Sequence, residues 1–117
     1  WMACLAPQAR VLDLACGRGR NTALGLAHGA EVTGIDRDPA ALAALPTAVT
    51  ALCADLEGQA WPPALTGAGQ FDAILVANYL FRPRLDLLPL APPPLDCRID
   101  LSSDLRLAGI VGSLILI

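Results

Sequence analysis

The chain is short, apolar and mildly acidic, with 117 residues, 55% hydrophobic and 16% charged residues, and a net charge of −3. This composition excludes a disordered protein and favours one compact domain with buried strands. The acidic balance argues against a nucleic-acid partner, because nucleic-acid binding needs a basic face. The apolar run from Leu107 to Ile117 is too short for a membrane-spanning helix, so we expect no membrane partner.

The four cysteines contain no CxxC pair, and nothing in the sequence resembles a signal peptide. This pattern is typical of reduced thiols in a cytoplasmic protein, and we predict no metal site.

Strand and helix signals alternate along the first two thirds of the chain. Short apolar runs predict strands at Arg10–Ala15, Glu31–Asp36, Val49–Cys53 and Phe71–Ala77. Helices are predicted at Asn21–His28 and Pro39–Leu45. This alternation indicates an α/β fold with a three-layer parallel sheet. One more strand is expected near the end, at Ile110–Ile117.

The loop after the first predicted strand has the features of a ligand-binding turn. Gly17 and Gly19 allow a sharp turn and a close approach of the backbone to a ligand. The N-terminus of the following helix suits an anionic or carboxylate-bearing group. Two glycines alone are weak evidence, since ordinary strand-to-helix turns also contain them.

Polar residues also follow the later predicted strands. Asp36 ends the second strand, Asp55 follows the third, and Asn78 and Tyr79 follow the fourth. Ligands bind at this edge of open α/β sheets, and an acid at the end of the second strand can accept hydrogen bonds from ribose hydroxyls. The alternatives are a helix-capping Asp36, a role for which Asp38 is better placed, and an Asx turn at Asp55. Jointly, these positions predict a nucleotide site.

The pattern Asp13-x-Ala15-x-Gly17-x-Gly19 resembles the first motif of class I S-adenosylmethionine-dependent methyltransferases, with alanine in the first glycine position. Segments 17–21 and 29–36 resemble the tellurite-resistance-type branch of that family, and the resemblance extends over residues 10–83. A dinucleotide fingerprint would instead place a third glycine where this chain has Thr22.

The resemblance implies S-adenosyl-L-methionine as the cofactor, with the Gly17/Gly19 loop at its methionine portion and Asp36 at its ribose. It further implies that Arg37 flanks the adenine, that Asp55 and Leu56 contact the adenine edge, and that Asn78 lies near the methyl group. The full cofactor-binding set that we predict is Asp13, Ala15, Gly17, Gly19, Asn21, Asp36, Arg37, Asp55, Leu56 and Asn78.

The resemblance divides the chain into a Rossmann-like, S-adenosylmethionine-binding core at residues 1–90 and an unmatched tail at 91–117. Members of the family usually continue with a Pro-Gly-Gly turn, a fifth strand and a hairpin that completes a seven-stranded sheet, and nothing after Leu90 matches. We interpret the tail as truncated or frameshifted. The sheet is therefore expected to be incomplete on its C-terminal side, with impaired activity.

The predicted function is methyl transfer to a small-molecule acceptor. Alignment of the acceptor supplies most of the acceleration in such a reaction, so no protein nucleophile is required. Asn78 and Tyr79 are the candidate acceptor-side residues, whereas His28, the single histidine, is expected to be a surface or C-capping residue. Two alternatives are a nicotinamide-dependent oxidoreductase with a degenerate fingerprint and a non-catalytic cofactor-binding or dimerising module. The sequence indicates no oligomeric state.

Overall fold

The computed structural model describes residues 5–58, 62–65, 70–77 and 113–116. Its strands are β1 (Arg10–Leu14), β2 (Glu31–Asp36), β3 (Thr50–Cys53), β4 (Ala73–Val76) and β5 (Ser113–Leu116). Its helices are α1 (Arg20–Ala27) and α2 (Pro39–Ala43), and a 3₁₀ turn covers Pro63–Leu65. The strands form a sheet in the order β3-β2-β1-β4-β5, and every neighbouring pair is parallel. The predicted α/β fold with a parallel sheet is confirmed, and its last strand lies within the predicted 110–117 range.

The two faces of the sheet carry separate apolar clusters, as expected for strands that are buried on both sides. On the face toward α1, Val11 and Val32 pack with Leu75, and the partly buried Leu26 of α1 covers them. The apolar cluster on the opposite face is larger. Its buried members are Leu12, Leu14, Ile35, Leu56, Leu65, Phe71, Ile74 and Val76. The central strands are thus fixed on both faces, which holds their carboxyl ends in one line.

Helix α1 ends in a glycine-dependent cap. Gly29 has a φ of 85°, its N–H bonds to the Leu26 carbonyl at 2.9 Å, and the Ala30 N–H bonds to the Gly25 carbonyl at 3.1 Å. This is the Schellman arrangement, which satisfies carbonyls left open at a helix end. The exposed His28 is the C-cap residue, as predicted.

Helix α2 begins as the sequence predicts. The Asp38 side chain accepts a hydrogen bond from the Ala40 N–H at 2.9 Å, and Pro39 occupies the first helical position. The helix ends at Ala43, two residues earlier than predicted, because Leu45 precedes Pro46 and a residue before proline disfavours helical geometry.

The amino ends of β1 and β4 are joined by an exposed ion pair. The Arg10 guanidinium Nη2 lies 2.9 Å from Asp72 Oδ1, and the Arg10 backbone N–H donates to Asp72 Oδ2 at 2.8 Å. These hydrogen bonds hold the pKa of Asp72 below its usual value. The contact stabilises the sheet edge opposite the predicted site.

Candidate functional site

A cavity of about 220 Å³ lies beside the carboxyl ends of β1, β2 and β3. The residues that line it are Ala15, Asp36, Arg37, Asp55, Leu56 and Glu57. Five of these six were predicted from the sequence as cofactor-binding residues. Glu57 was missed, although its position directly after the predicted pair Asp55-Leu56 was a usable signal.

Asp36 connects the glycine loop to the turn between β2 and α2. Its Oδ2 accepts a hydrogen bond from the Gly17 N–H at 2.8 Å, and its Oδ1 accepts one from the Asp38 N–H at 2.9 Å. The side chain is only partly buried. Because each carboxylate oxygen has a second lone pair, both oxygens retain capacity for a ligand hydroxyl. The carboxylate therefore faces the loop and is held in one orientation.

Left-handed backbone geometry shapes the loop between β1 and α1. Ala15, Gly17 and Gly19 have φ values of 52°, 54° and 79°. A Cβ at Gly17 would meet nothing within 4 Å, whereas a Cβ at Gly19 would collide with the Leu45 side chain. Gly17 thus adopts its left-handed conformation without the cost of a Cβ and leaves open space for a ligand, while Gly19 also allows α1 and Leu45 to approach.

Asp13 lies beneath this loop and is 1% exposed. The hydroxyl of the fully buried Thr22 donates a hydrogen bond to Asp13 Oδ2 at 2.6 Å. Burial raises the pKa of Asp13, and the hydrogen bonds from Thr22 oppose part of that rise. Sequence analysis missed this role of Thr22. The spacing of an acid in a strand and a hydroxyl in the first turn of the next helix could have indicated it.

The other predicted residues are distributed as follows. Asp13, Gly17, Gly19 and Asn21 do not line the cavity. The Asx-turn alternative at Asp55 is correct, since its Oδ1 accepts the Glu57 N–H at 2.9 Å. Its carboxylate belongs to the cavity wall at the same time. The candidates Asn78 and Tyr79 lie outside the described residues.

Two further properties concern only the part of the chain that the structure describes. No three His, Cys, Asp or Glu side chains come together there in a way that could hold a metal ion. None of its helices has the length and apolar character of a membrane span.

Comparison with known proteins gives a consistent result. A family model described as a methyltransferase domain matches residues 11–88, more than half of the chain. No curated protein matches the chain. Among solved structures, an S-adenosylmethionine-dependent methyltransferase from Mesorhizobium loti is 29% identical, with a TM-score of 0.51, over 64% of this chain and 36% of that one. TehB from Haemophilus influenzae is 25% identical, with a TM-score of 0.53, over 71% of this chain and 30% of that one.

The chain therefore spans about a third of the length of these two similar structures. Its sheet and helices match the Rossmann-like fold of such methyltransferases, which confirms the predicted fold class.

Proposed function

The chain belongs to the methyltransferase domain family, and from that premise we propose that it binds S-adenosyl-L-methionine at the carboxyl edge of its sheet. The observation that carries the proposal is the position of Asp36. Its carboxylate lies beside a cavity lined by Ala15, Arg37 and Asp55, and it is fixed by the Gly17 and Asp38 N–H groups. A carboxylate fixed in this way is suited to accept hydrogen bonds from both ribose hydroxyls of an adenosyl group.

The remaining predicted residues take roles around Asp36. Arg37 would flank the adenine, and Asp55 with Leu56 would contact its edge; all three residues line the cavity. The open space above Gly17 would admit the methionine portion, near the N-terminus of α1 and Asn21. Asn78, with Tyr79, would lie on the acceptor side, as the family resemblance implies.

The small size of the cavity is consistent with described residues that form only part of the ligand site. At about 220 Å³ it is smaller than the roughly 300–1,000 Å³ of complete small-molecule sites. The described residues thus form the wall that would hold the adenosine, and the acceptor side would come from other segments of the protein.

The proposed reaction is methyl transfer to a small-molecule acceptor. The cofactor, when bound, would supply an electrophilic methyl group on its sulfonium. The residues of this chain would bind and orient the cofactor, and in-line positioning of the acceptor would provide most of the acceleration. The likeness to TehB supports the tellurite-resistance-type branch that the sequence motifs predict. We propose a cytoplasmic location, because the four cysteines contain no CxxC pair and their pattern is typical of reduced thiols.

Calorimetric titration of the full chain with S-adenosylhomocysteine tests the cofactor. We expect saturable binding, and we expect Asp36→Ala to weaken it by about tenfold or more, the equivalent of one strong hydrogen-bonding group. Asp72→Asn is the matched control, because it removes a carboxylate from the opposite edge of the sheet. Binding of NAD without binding of S-adenosylhomocysteine would reject the proposal in favour of an oxidoreductase.

Transfer of a labelled methyl group to a panel of small molecules tests the reaction separately. Transfer above the background of the Asp36→Ala variant supports the enzyme. Binding of the cofactor with no transfer to any member of the panel would support the alternative of a cofactor-binding or dimerising module.

A further inference from the structure

Helix α1 begins without the side-chain cap that helices ordinarily have. Its N-cap residue is Gly19, which has left-handed geometry and makes no capping hydrogen bond through a side chain. An N-cap side chain normally accepts the N–H of the second or third helical residue. In α1 the third residue is Thr22, which lies in the first turn and is fully buried.

The side chain of Thr22 is fixed from the preceding strand by Asp13. The Thr22 hydroxyl donates a hydrogen bond to Asp13 Oδ2 at 2.6 Å. The carboxylate therefore lies against the first turn of α1, near the positive end of the helix dipole. Both side chains are at most 1% exposed, so water cannot replace either partner.

The Asp13–Thr22 pair joins the two ends of the glycine loop between β1 and α1. Residues 13 and 22 lie on either side of it, nine positions apart, and three residues between them have left-handed geometry. Two of the three are glycines, which adopt many backbone conformations readily, and Ala15 is in a sparsely populated one, so the loop keeps this shape only when its surroundings hold it. One end of the loop is fixed by Asp13 in β1, the other by Thr22 in α1, and the loop's N–H at Gly17 then points at Asp36.

We propose that Thr22 is a positioning residue for the cofactor, which acts through Asp13 to hold the Ala15–Gly19 backbone in its ligand-binding shape. The proposal rests on the proposed function, because it concerns the same loop. It also gives a physical reason for the hydroxyl at position 22, where a dinucleotide fingerprint would have glycine. Glycine there would leave Asp13 buried with one hydrogen bond fewer.

The experiment compares three variants of the full chain by calorimetry with S-adenosylhomocysteine and by thermal unfolding. Thr22→Val keeps the shape and removes the hydroxyl, Thr22→Ser keeps the hydroxyl, and Val32→Ala destabilises the α1-side core without touching the loop. We expect Thr22→Val to weaken binding by about five- to tenfold. Thr22→Ser is expected to stay within about twofold of the unmodified chain, since its hydroxyl can make the same bond.

The Val32→Ala control separates positioning from stability. It should lower the melting temperature and leave the affinity unchanged, whereas Thr22→Val should change the affinity even when both variants are fully folded at the assay temperature. Affinity of Thr22→Val equal to that of the unmodified chain would overturn the proposal. If Thr22→Val does not fold, Thr22→Ala replaces it under the same criterion. If the unmodified chain itself fails to bind S-adenosylhomocysteine, the proposed function fails instead.

Discussion

Ala15 has backbone geometry that favours glycine, with a φ of 52°. The left-handed region costs a residue with a Cβ about 1–2 kcal/mol. Glycine removes this cost but adds about 0.4–1 kcal/mol of unfolded-state entropy. We therefore predict that Ala15→Gly raises the free energy of unfolding by about 0.5–1 kcal/mol, the balance of these two effects. Urea denaturation of the two chains measures it.

Ala23→Gly is the control for that prediction. Ala23 is exposed in the middle of α1, where the backbone is right-handed, so glycine should lower the free energy of unfolding by about 1 kcal/mol. Equal losses of stability in both variants would mean that Ala15 is not strained in the folded chain.

Two cysteines in the described part of the chain differ in environment. Cys16 is half-buried, and burial together with the negative charges of Asp13 and Asp36 raises the pKa of its thiol to about 12. Cys53 is exposed. Because the thiolate is the reactive form, we predict that iodoacetamide at pH 8 modifies Cys16 at least about tenfold more slowly than Cys53.

Peptide mass spectrometry measures the two rates separately, which is necessary because the chain has four cysteines. In a denaturing concentration of urea the two residues should react at similar rates. Faster modification of Cys16 in the folded chain would contradict the environment described for it.

At the scale of elements, the sequence predicted the strands and helices that combine a clear periodicity with a clear end signal. Helix α1 has Gly29 after it, and α2 has Asp38 and Pro39 before it, so both were found within about two residues of their observed ends. The 3₁₀ turn at Pro63–Leu65 was not predicted, although Leu65 is fully buried. Its burial depends on packing against the sheet face from a distant part of the sequence, and no local pattern encodes that contact.

The site shows the same division between local and non-local information. Asp36 and Asp55 were predicted because residues that follow parallel strands meet at one sheet edge, whereas Arg37 was predicted only from the family resemblance. The Asx turn that orients Asp55 was one of the predicted alternatives, but the hydrogen bond that orients Asp36 toward the glycine loop was not predicted. The Gly17 N–H reaches Asp36 across 19 residues, and the Thr22 hydroxyl of α1 reaches Asp13 in the preceding strand. Such bonds depend on the relative placement of two elements, which propensities do not specify.

At the scale of the whole molecule, each of the two opposite edges of the sheet has a carboxyl group whose pKa is shifted, and the two shifts have opposite signs. The amino edge carries the exposed pair Arg10–Asp72. Near the carboxyl edge, burial of Asp13 and the negative charge of Asp36 both raise the pKa of Asp13. The pKa of Asp72 is lowered from the ordinary value of 3.8 and that of Asp13 is raised. Ionisation of Asp72 therefore stabilises the folded chain, whereas ionisation of Asp13 destabilises it.

The raised pKa of Asp13 makes the stability of the folded chain depend on pH through proton linkage. Above an ordinary aspartate pKa the unfolded chain has lost this proton while the folded chain still holds it, so folded stability falls as pH rises through that window. The substitution Asp13→Asn keeps an acceptor for Thr22 and removes the charge. We therefore predict that the free energy of unfolding of this variant, relative to the unmodified chain, increases from pH 3.8 upward and becomes constant once Asp13 is ionised in the folded chain.

Urea denaturation at a series of pH values measures this difference, and subtraction of the two curves removes the contributions of carboxyls that both chains share. Asp72→Asn serves as the opposite control. Its carboxyl stabilises the fold when ionised, so the unmodified chain should lose its advantage over this variant as pH falls below 3.8. A difference between Asp13→Asn and the unmodified chain that is independent of pH would show that burial does not raise the pKa of Asp13. Asp13 would then ionise as readily in the folded chain as in the unfolded chain.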